Sequence, residues 1–300
     1  MRIDLVPPPT VAIRQDSFDP AQAARSVLCM EVSKDRFRFA VLSDSRRLYW
    51  LEDYAFPSLL TERPLTETLP VISQNHPVLQ ADPDTERPWQ QIRVAINAPS
   101  FTLVPKPLFR KEYASSYLSL MRGSALPTHE FPQAFAHDEG FVSVFNLEYR
   151  LTEYFSATYP LQQLTFVHQT STLIRASEAV DSQLASAHNL LLYFEDEFVT
   201  IVFRANRQLR YCNRFGYKSP QDLTYYVLYV IDELKLEPFS VNIMLYGEVT
   251  PFADTYVELT RFLPHMSFGP TPPHLTLTGD FDELPEHRYL SMYGLALLAV

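Results

Sequence analysis

Two stretches of this sequence repeat one pattern of three short strands joined by polar turns. The first is "SVLCMEVSKDRFRFAVLSDSRRLYWLEDYAF", from Ser26 to Phe56, and the second is "HNLLLYFEDEFVTIVFRANRQLRYCNRFGY", from His188 to Tyr217. Apolar and polar residues alternate in both, which indicates half-buried β-strands. Either the chain contains two related β-rich halves, or two unrelated amphipathic meanders look alike.

The two stretches align without gaps over most of their length when Asp35 is placed on Asp196. This alignment pairs Phe37 with Phe198, Val41 with Val202, Leu42 with Phe203, Arg46 with Arg207, Leu48 with Leu209 and Trp50 with Tyr211. Before the first turn the second copy needs one residue fewer, so that Leu28 meets Leu190. A helical pattern follows each copy. The sequence therefore predicts an α/β protein with mixed sheets, in two related halves that each open β-β-β-α.

The helix after the second copy has the clearest boundaries. Ser219 is placed to cap its N-terminus, and Pro220 suits the first helical position. Elsewhere, Gly123 is expected to end a helix that begins near Arg110.

Composition excludes several classes of function. The net charge of −10 disfavours nucleic acid as a partner, because a phosphate backbone requires a basic surface. Only seven glycines occur and the first is Gly123, so neither a P-loop nor the Rossmann glycine pattern is present. A P-loop enzyme and a typical Rossmann dehydrogenase are therefore not expected.

The expected organisation is an irregular lead-in over residues 1–25, a first subdomain over 26–180 and a second over 181–284. A terminal helix within 285–300 is expected to pack back on the first subdomain. The N-terminus lacks a secretory signal, and the apolar tail is too short to cross a bilayer. The two cysteines, Cys29 and Cys212, lie in apolar strand patterns. Together these features predict a cytoplasmic protein without membrane insertion.

Several polar residues are candidates for chemistry. A loop is favoured over a metal site for a group of acids and histidines: His129, Glu130, His137, Asp138 and Glu139. His168 is expected to be a hydrogen-bonded structural histidine, with a general base as the alternative. Solvated surface charges are favoured over a catalytic dyad for two acidic pairs: Glu52/Asp53 and Asp232/Glu233. Tyr225 and Tyr229 belong either to the core or to an interaction surface.

The sequence resembles a bacterial family of unknown function that adopts the actin-like ATPase fold (ribonuclease H-like), with PilM and FtsA as more distant relatives. The resemblance lies in "FTLVPKPLFRKEYASSYL", "HNLLLYFEDEFVTIVF", "NRFGYKSPQDLTYYVLYVIDELKL", "NIMLYGEV" and "HRYLSMYGLAL". It covers most of the chain from about Ser26 onward.

The resemblance implies where nucleotide chemistry would lie. Active members carry Asp-x-Gly at the first hairpin turn of each half, where the turns hold phosphates and metal, and a Gly-Gly pair near the adenosine. At these positions this chain has Glu31-Val32-Ser33, then Tyr193-Phe194-Glu195 followed by Asp196 and Glu197, and finally Gly247-Glu248. The cleft formed by Glu31, Ser33, Glu195, Asp196, Gly247 and Glu248 is therefore expected to be degenerate, because acidic side chains repel polyphosphate.

Three functions follow as hypotheses. The first is a non-catalytic protein that acts through contacts with an unknown protein partner and needs no cofactor. The alternative is a divergent ATPase or kinase that binds ATP and Mg²⁺, with Glu31, Glu195 or Asp196 holding the metal. The third is an unrelated enzyme that uses His168. The oligomeric state is left open by the sequence.

Overall fold

A computed structural model describes residues 8–16, 18–56, 65–74, 76–80, 89–237 and 239–298 of the chain. The strands are β1 Val11–Arg14, β2 Ser26–Val32, β3 Arg36–Ser43, β4 Leu48–Ala55, β5 Gln91–Ile96, β6 Phe101–Pro105, β7 Glu130–Ala136, β8 Phe141–Glu148, β9 Leu164–His168, β10 His188–Phe194, β11 Phe198–Ala205, β12 Gln208–Gly216, β13 Asn242–Gly247 and β14 Ser267–Phe268. The helices are α1 Leu65–Ser73, α2 Ala114–Arg122, α3 Tyr149–Thr158, α4 Gln169–Asp181, α5 Pro220–Glu233, α6 Asp254–Thr260 and α7 Leu290–Leu297, with 3-10 turns at Pro20–Arg25, Lys111–Tyr113 and Gly279–Glu283.

The chain forms two compact units. The first comprises Met1–Gln169 and Thr276–Phe281, and the second comprises Thr170–Leu275 and Asp282–Ala299. Thr276 joins the first unit through a β-bridge to Arg47. Among the described helices, none combines the length and the hydrophobicity needed to cross a membrane.

The first unit is built on a six-stranded mixed sheet in the order β1-β4-β3-β2-β5-β9. Alternate residues of β2 and β3, such as Met30 and Phe39, enter an apolar core that α1 and α3 cover through Leu69 and Phe155. A separate three-stranded antiparallel sheet, in the order β6-β8-β7, packs on α2. This smaller sheet follows β5 in the chain and precedes β9.

The second unit repeats the same plan without the outermost strand and the small sheet. Its order is β12-β11-β10-β13-β14, with β10 antiparallel to β11 and parallel to β13. Helix α5 begins as the sequence predicts, because the Ser219 hydroxyl accepts a hydrogen bond from the Asp222 amide and Pro220 follows it. Leu223, Val227 and Val230 of α5 then enter the core of this unit.

The two triple strands share their register, but the gapless sequence alignment is wrong by one residue along β3 and β11. The register of each meander shifts between its second and third strands, at Val41/Leu42 in one copy and at Phe203/Arg204 in the other. The first turns are equally long, because Val32 pairs with Phe37 and Phe194 pairs with Val199. Val41, opposite Leu28, therefore corresponds to Phe203, opposite Leu190, and not to Val202. The shorter turn of the second copy lies after β11 rather than before it. A slip of one residue matters because it moves every side chain of a strand to the opposite face.

The structure differs from the sequence in three further respects. Val11–Arg14 forms an edge strand on β4 where an irregular lead-in was expected; residues 1–7 and 17 of that lead-in lie outside the described residues. Residues 130–136 form β7 rather than a loop. The second unit begins at Thr170 rather than at residue 181, so α4, which lies in the predicted first subdomain, belongs to it; α7 packs on α4 where Gly294 has no side chain to meet the Thr172 carbonyl.

Candidate functional site

Glu31 lies at the end of β2, next to the first hairpin turn, and its carboxylate is buried. The Arg38 Nη1 lies 3.0 Å from the Glu31 Oε1, directly across the strand pair. Both side chains are at most 5% exposed, so water screens this ion pair very little. The turn itself is closed by the Ser33 hydroxyl, which donates to the Asp35 carboxylate at 2.8 Å.

Arg38 also binds a second acid on the next strand. Its Nε lies 3.2 Å from the Oδ2 of Asp53, a residue with no exposed surface, and Arg36 Nη1 lies 3.3 Å from the same oxygen. Two carboxylates and two guanidinium groups therefore form a neutral cluster across β2, β3 and β4. We call these four residues, Glu31, Arg36, Arg38 and Asp53, the charge row.

The second hairpin places different chemistry at the equivalent positions. By the shared register, Tyr193 corresponds to Glu31, Thr200 to Arg38 and Arg214 to Asp53. Tyr193 is 1% exposed, so a phenol fills the position of the first unit's carboxylate. The Arg214 Nε donates to the Thr200 hydroxyl at 3.3 Å.

The acidic turn after Tyr193 is held by Tyr217. The Tyr217 hydroxyl donates to the Glu195 carbonyl at 2.8 Å, and its amide donates to the Glu197 carbonyl. Burial, followed by the nearby charges of Asp196 and Glu195, raises the pKa of Tyr217 to about 12. Negative charge on this turn is therefore close enough to disfavour a second anion beside it.

Gly247 and Glu248 pack directly on the same hairpin. Gly247 has a φ of +86°, and a Cβ there would collide with the Phe194 carbonyl, so this glycine is required by the backbone approach itself. The Glu248 amide donates to that carbonyl at 2.9 Å, and its carboxylate lies 3.5 Å from Arg288. Of the predicted residues, these two and the Glu195–Asp196 turn come together within the second unit. Glu31 and Ser33 belong to the first.

With this geometry established, comparison with known proteins places the chain. A family model described as "Protein of unknown function (DUF3822)" matches residues 15–266. The chain belongs to this family. Among curated proteins no sequence matches it.

Two solved structures are similar over nearly the whole chain. One is a protein from Bacteroides thetaiotaomicron VPI-5482 "with actin-like ATPase fold and unknown function", with a TM-score of 0.75 and 18% identity over 94% of this chain and 99% of that chain. The other is a chain of the PilM–PilN type IV pilus biogenesis complex, with a TM-score of 0.64 and 13% identity over 90% of this chain and 97% of that chain. At these identities the likeness establishes the fold alone. This DUF3822 member has the actin-like ATPase fold, as its sequence predicts.

One expectation about acidic residues is wrong. Glu52 and Asp53 are not solvated surface charges; both are buried, on opposite faces of β4, because successive residues of a strand alternate between faces. Glu52 faces the apolar core, where it accepts hydrogen bonds from Trp50 Nε1 at 2.8 Å and from the Tyr54 hydroxyl. His76 Nε2 lies 3.2 Å from Glu52.

These contacts decide the protonation of Glu52. Burial on its own would raise the pKa of this carboxyl, but hydrogen bonds from His76, Tyr54 and Trp50 outweigh burial and hold it below its usual value. The His76 Nδ1 accepts from the amides of Val78 and Leu79, which assigns the proton to Nε2. The buried acid is therefore a structural anchor for the chain segment after α1.

The other candidates also have structural surroundings. His168 is fully buried, stacks on Phe101 with ring centroids 4.6 Å apart, and has its Nε2 3.0 Å from the Ala98 carbonyl. His137 stacks on Phe141, and burial lowers its pKa to about 4. Asp232 and Glu233 are exposed, as predicted. Within the described residues, no three His, Cys, Asp or Glu side chains lie close enough to hold a metal ion.

Sequence reasoning missed the basic half of the charge row. Arg38 carried a detectable signal, because the pairing of the three strands places residue 38 opposite both Glu31 and Asp53. Opposite charges at facing positions of neighbouring strands indicate ion pairs.

Proposed function

We propose that this chain is a non-catalytic protein of the actin-like fold that acts through contacts with other proteins. The observation that carries the proposal is that the Glu31 carboxylate already forms an ion pair. Glu31 is the acid at the first position of the two places where active members carry Asp-x-Gly; the other place has Tyr193. The Glu31 carboxylate has a buried cationic partner in Arg38 at 3.0 Å.

The energetic argument follows from this ion pair. To coordinate Mg²⁺, Glu31 must leave Arg38, and separating a buried pair costs about 3–5 kcal/mol. A micromolar nucleotide has only about 8 kcal/mol of binding free energy. The charge row thus removes a third or more of the affinity that such a site requires.

The second unit supports the same conclusion. Tyr193 offers a buried phenol instead of a carboxylate, and the turn that follows it carries Glu195, Asp196 and Glu197. An incoming polyphosphate would meet this negative charge without the close backbone approach that glycine permits. Gly247 is already committed to its contact with Phe194.

Protein contacts are supported by the exposed aromatic side chains. Tyr225 and Tyr229 of α5 are 64% and 48% exposed and stack on each other, and tyrosine is enriched at interfaces. The PilM–PilN structure is itself a protein complex, which offers a precedent for this fold in assembly.

The test is a calorimetric titration with ATP and ADP, each with Mg²⁺, at up to about 1 mM, far above a micromolar dissociation constant. We expect no binding heat and no shift in melting temperature. A micromolar isotherm that Glu31→Ala or Asp196→Ala abolishes would overturn the proposal and establish the divergent ATPase instead.

A further inference from the structure

The outer edges of the two equivalent sheets are treated differently. In the first unit the edge of β4 is covered by β1, which pairs antiparallel with it from Val11 to Arg14. In the second unit the equivalent strand is β12, and no described residue adds a strand outside it. Exposed sheet edges are templates for strand addition by another chain.

The register identifies the backbone groups that face outward on β12. On β4, the carbonyls of Asp53 and Tyr49 accept hydrogen bonds from the amides on either side of β1, those of Thr10 and Gln15. The corresponding residues of β12 are Arg214 and Arg210, with Cys212 between them.

Two bonds on β12 support this assignment. The Tyr217 amide donates inward to the Glu197 carbonyl, so alternation along an antiparallel pair turns the groups of Arg214 and Cys212 outward. The Arg214 amide donates to the neighbouring Asn213 side chain at 2.9 Å. A side-chain cap of this kind can be displaced by an incoming strand.

The edge carries basic residues. Arg210 is exposed at the bulge of β12, Arg214 lies half-buried nearer the other end of the strand, and Lys218 follows just beyond it. This is a local cationic strip on a chain whose net charge is −10. The acidic Glu195–Glu197 turn lies beside the Gly216 end of β12. Arg210 is near the other end of the strand, so these acids neutralise its positive charge least.

One face of the edge is aromatic. Phe215 stacks on Tyr226 with ring centroids 5.0 Å apart, and the exposed pair of Tyr225 and Tyr229 continues this surface along α5. Tyr211, on the same side of β12, lies near Tyr229. A strand added to β12 would therefore place the side chains of one face against these aromatic residues and would run past Arg210 and Arg214.

We propose that the outer edge of β12 binds an extended acidic segment of a partner protein by antiparallel strand addition, in the way that β1 covers β4. The partner strand carries acidic residues, which pair with Arg210 and Arg214, and apolar residues, which face the tyrosines. A second copy of this chain fits poorly, because antiparallel pairing of two β12 strands brings like arginine charges together. The inference rests on the protein-contact part of the proposed function.

The probe is a capped peptide of about eight residues that alternates glutamate with valine, close to the nine-residue length of β12. We expect saturable binding by fluorescence anisotropy and slower amide exchange across Gln208–Gly216. Cys212→Pro removes an outward amide without breaking the β11 pairing and should weaken binding at least about tenfold, whereas Cys212→Ala keeps the amide and should bind normally.

Charge is tested separately. Arg210→Glu should also weaken binding about tenfold, and it replaces the proline variant if that variant fails to fold. Equal binding of a lysine–valine peptide, equal binding by the Pro and Ala variants, or dimerisation of the chain through β12 would each overturn the proposal. The nucleotide titration is independent of the peptide assay. If the chain binds ATP and its affinity for the peptide is unchanged, only the non-catalytic assignment is refuted.

Discussion

Replacement of Arg38 by methionine is the most direct test of the charge row. Methionine keeps much of the length of the side chain but removes the guanidinium that bridges Glu31 and Asp53. Both acids then stay buried without the Arg38 charge, while Arg36 still lies beside Asp53. We expect a large loss of stability confined to the first unit.

The magnitude follows from the two distances. At 3.0 Å and 3.2 Å, each attraction is worth about 5 kcal/mol with an effective dielectric constant near 20. Removing Arg38 also recovers its own desolvation cost, which is several kcal/mol for a buried ion. The net loss is therefore about 3–5 kcal/mol, the range typical of a broken buried ion pair.

Tryptophan fluorescence during urea unfolding measures this effect selectively. The two tryptophans, Trp50 and Trp89, both lie in the first unit, so their emission follows that unit alone. Arg36→Met is the matched control, because its side chain is 20% exposed and its loss leaves Arg38 in place; it should cost about 1 kcal/mol. A loss below about 1 kcal/mol for Arg38→Met would refute the reasoning.

Three further predictions concern other buried positions. Gly247→Ala should destabilise the second unit by more than about 2 kcal/mol through its collision with Phe194, whereas Gly123→Ala, at similar positive φ but in open space, should cost only about 1 kcal/mol in melting experiments. Because the folded protein lowers the pKa of Glu52, ionised Glu52 stabilises the fold above about pH 4.3, and this stabilisation is lost as the pH falls through the lowered pKa. Glu52→Gln should remove this acid sensitivity. A urea midpoint that depends on pH in the same way in the variant and in the natural chain would contradict the prediction. With a pKa of about 4, His137 should make stability fall as the pH drops from about 6.5 towards 4, because only the unfolded chain binds the proton there; an NMR titration midpoint near 6.5 would disprove this.

The fold could be predicted largely because its signals are local. Alternation marks β2, β3, β4 and their counterparts, and Ser219-Pro220 marks the start of α5. The register between the copies could not be read correctly. Both meanders carry a bulge at the equivalent place, and the second has a turn shorter by one residue after β11. Two alignments one residue apart both pair apolar with apolar residues, so the position of that shorter turn is hidden in the sequence.

The places of the candidate residues in the fold could be predicted, but their surroundings could not. Glu31 and Gly247 lie at hairpin and strand ends, as the family resemblance implies, yet nothing local reveals whether a charge is solvated. Asp53 was expected at the surface because acids usually lie there. Its burial depends on Arg38, fifteen residues earlier on another strand, and such compensation is visible only once strand pairing is known.

The two equivalent rows of side chains explain how one fold can be retained while its chemistry changes. In the first unit the row reads Glu31, Arg38 and Asp53; in the second it reads Tyr193, Thr200 and Arg214. A carboxylate that binds a metal ion must not already be neutralised by a neighbouring cation of the protein. In the first row each acid lies beside an arginine, and the second row contains no acid. The second row presents a phenol, a hydroxyl and a guanidinium instead, which supports the proposal of a chain that binds proteins rather than a nucleotide.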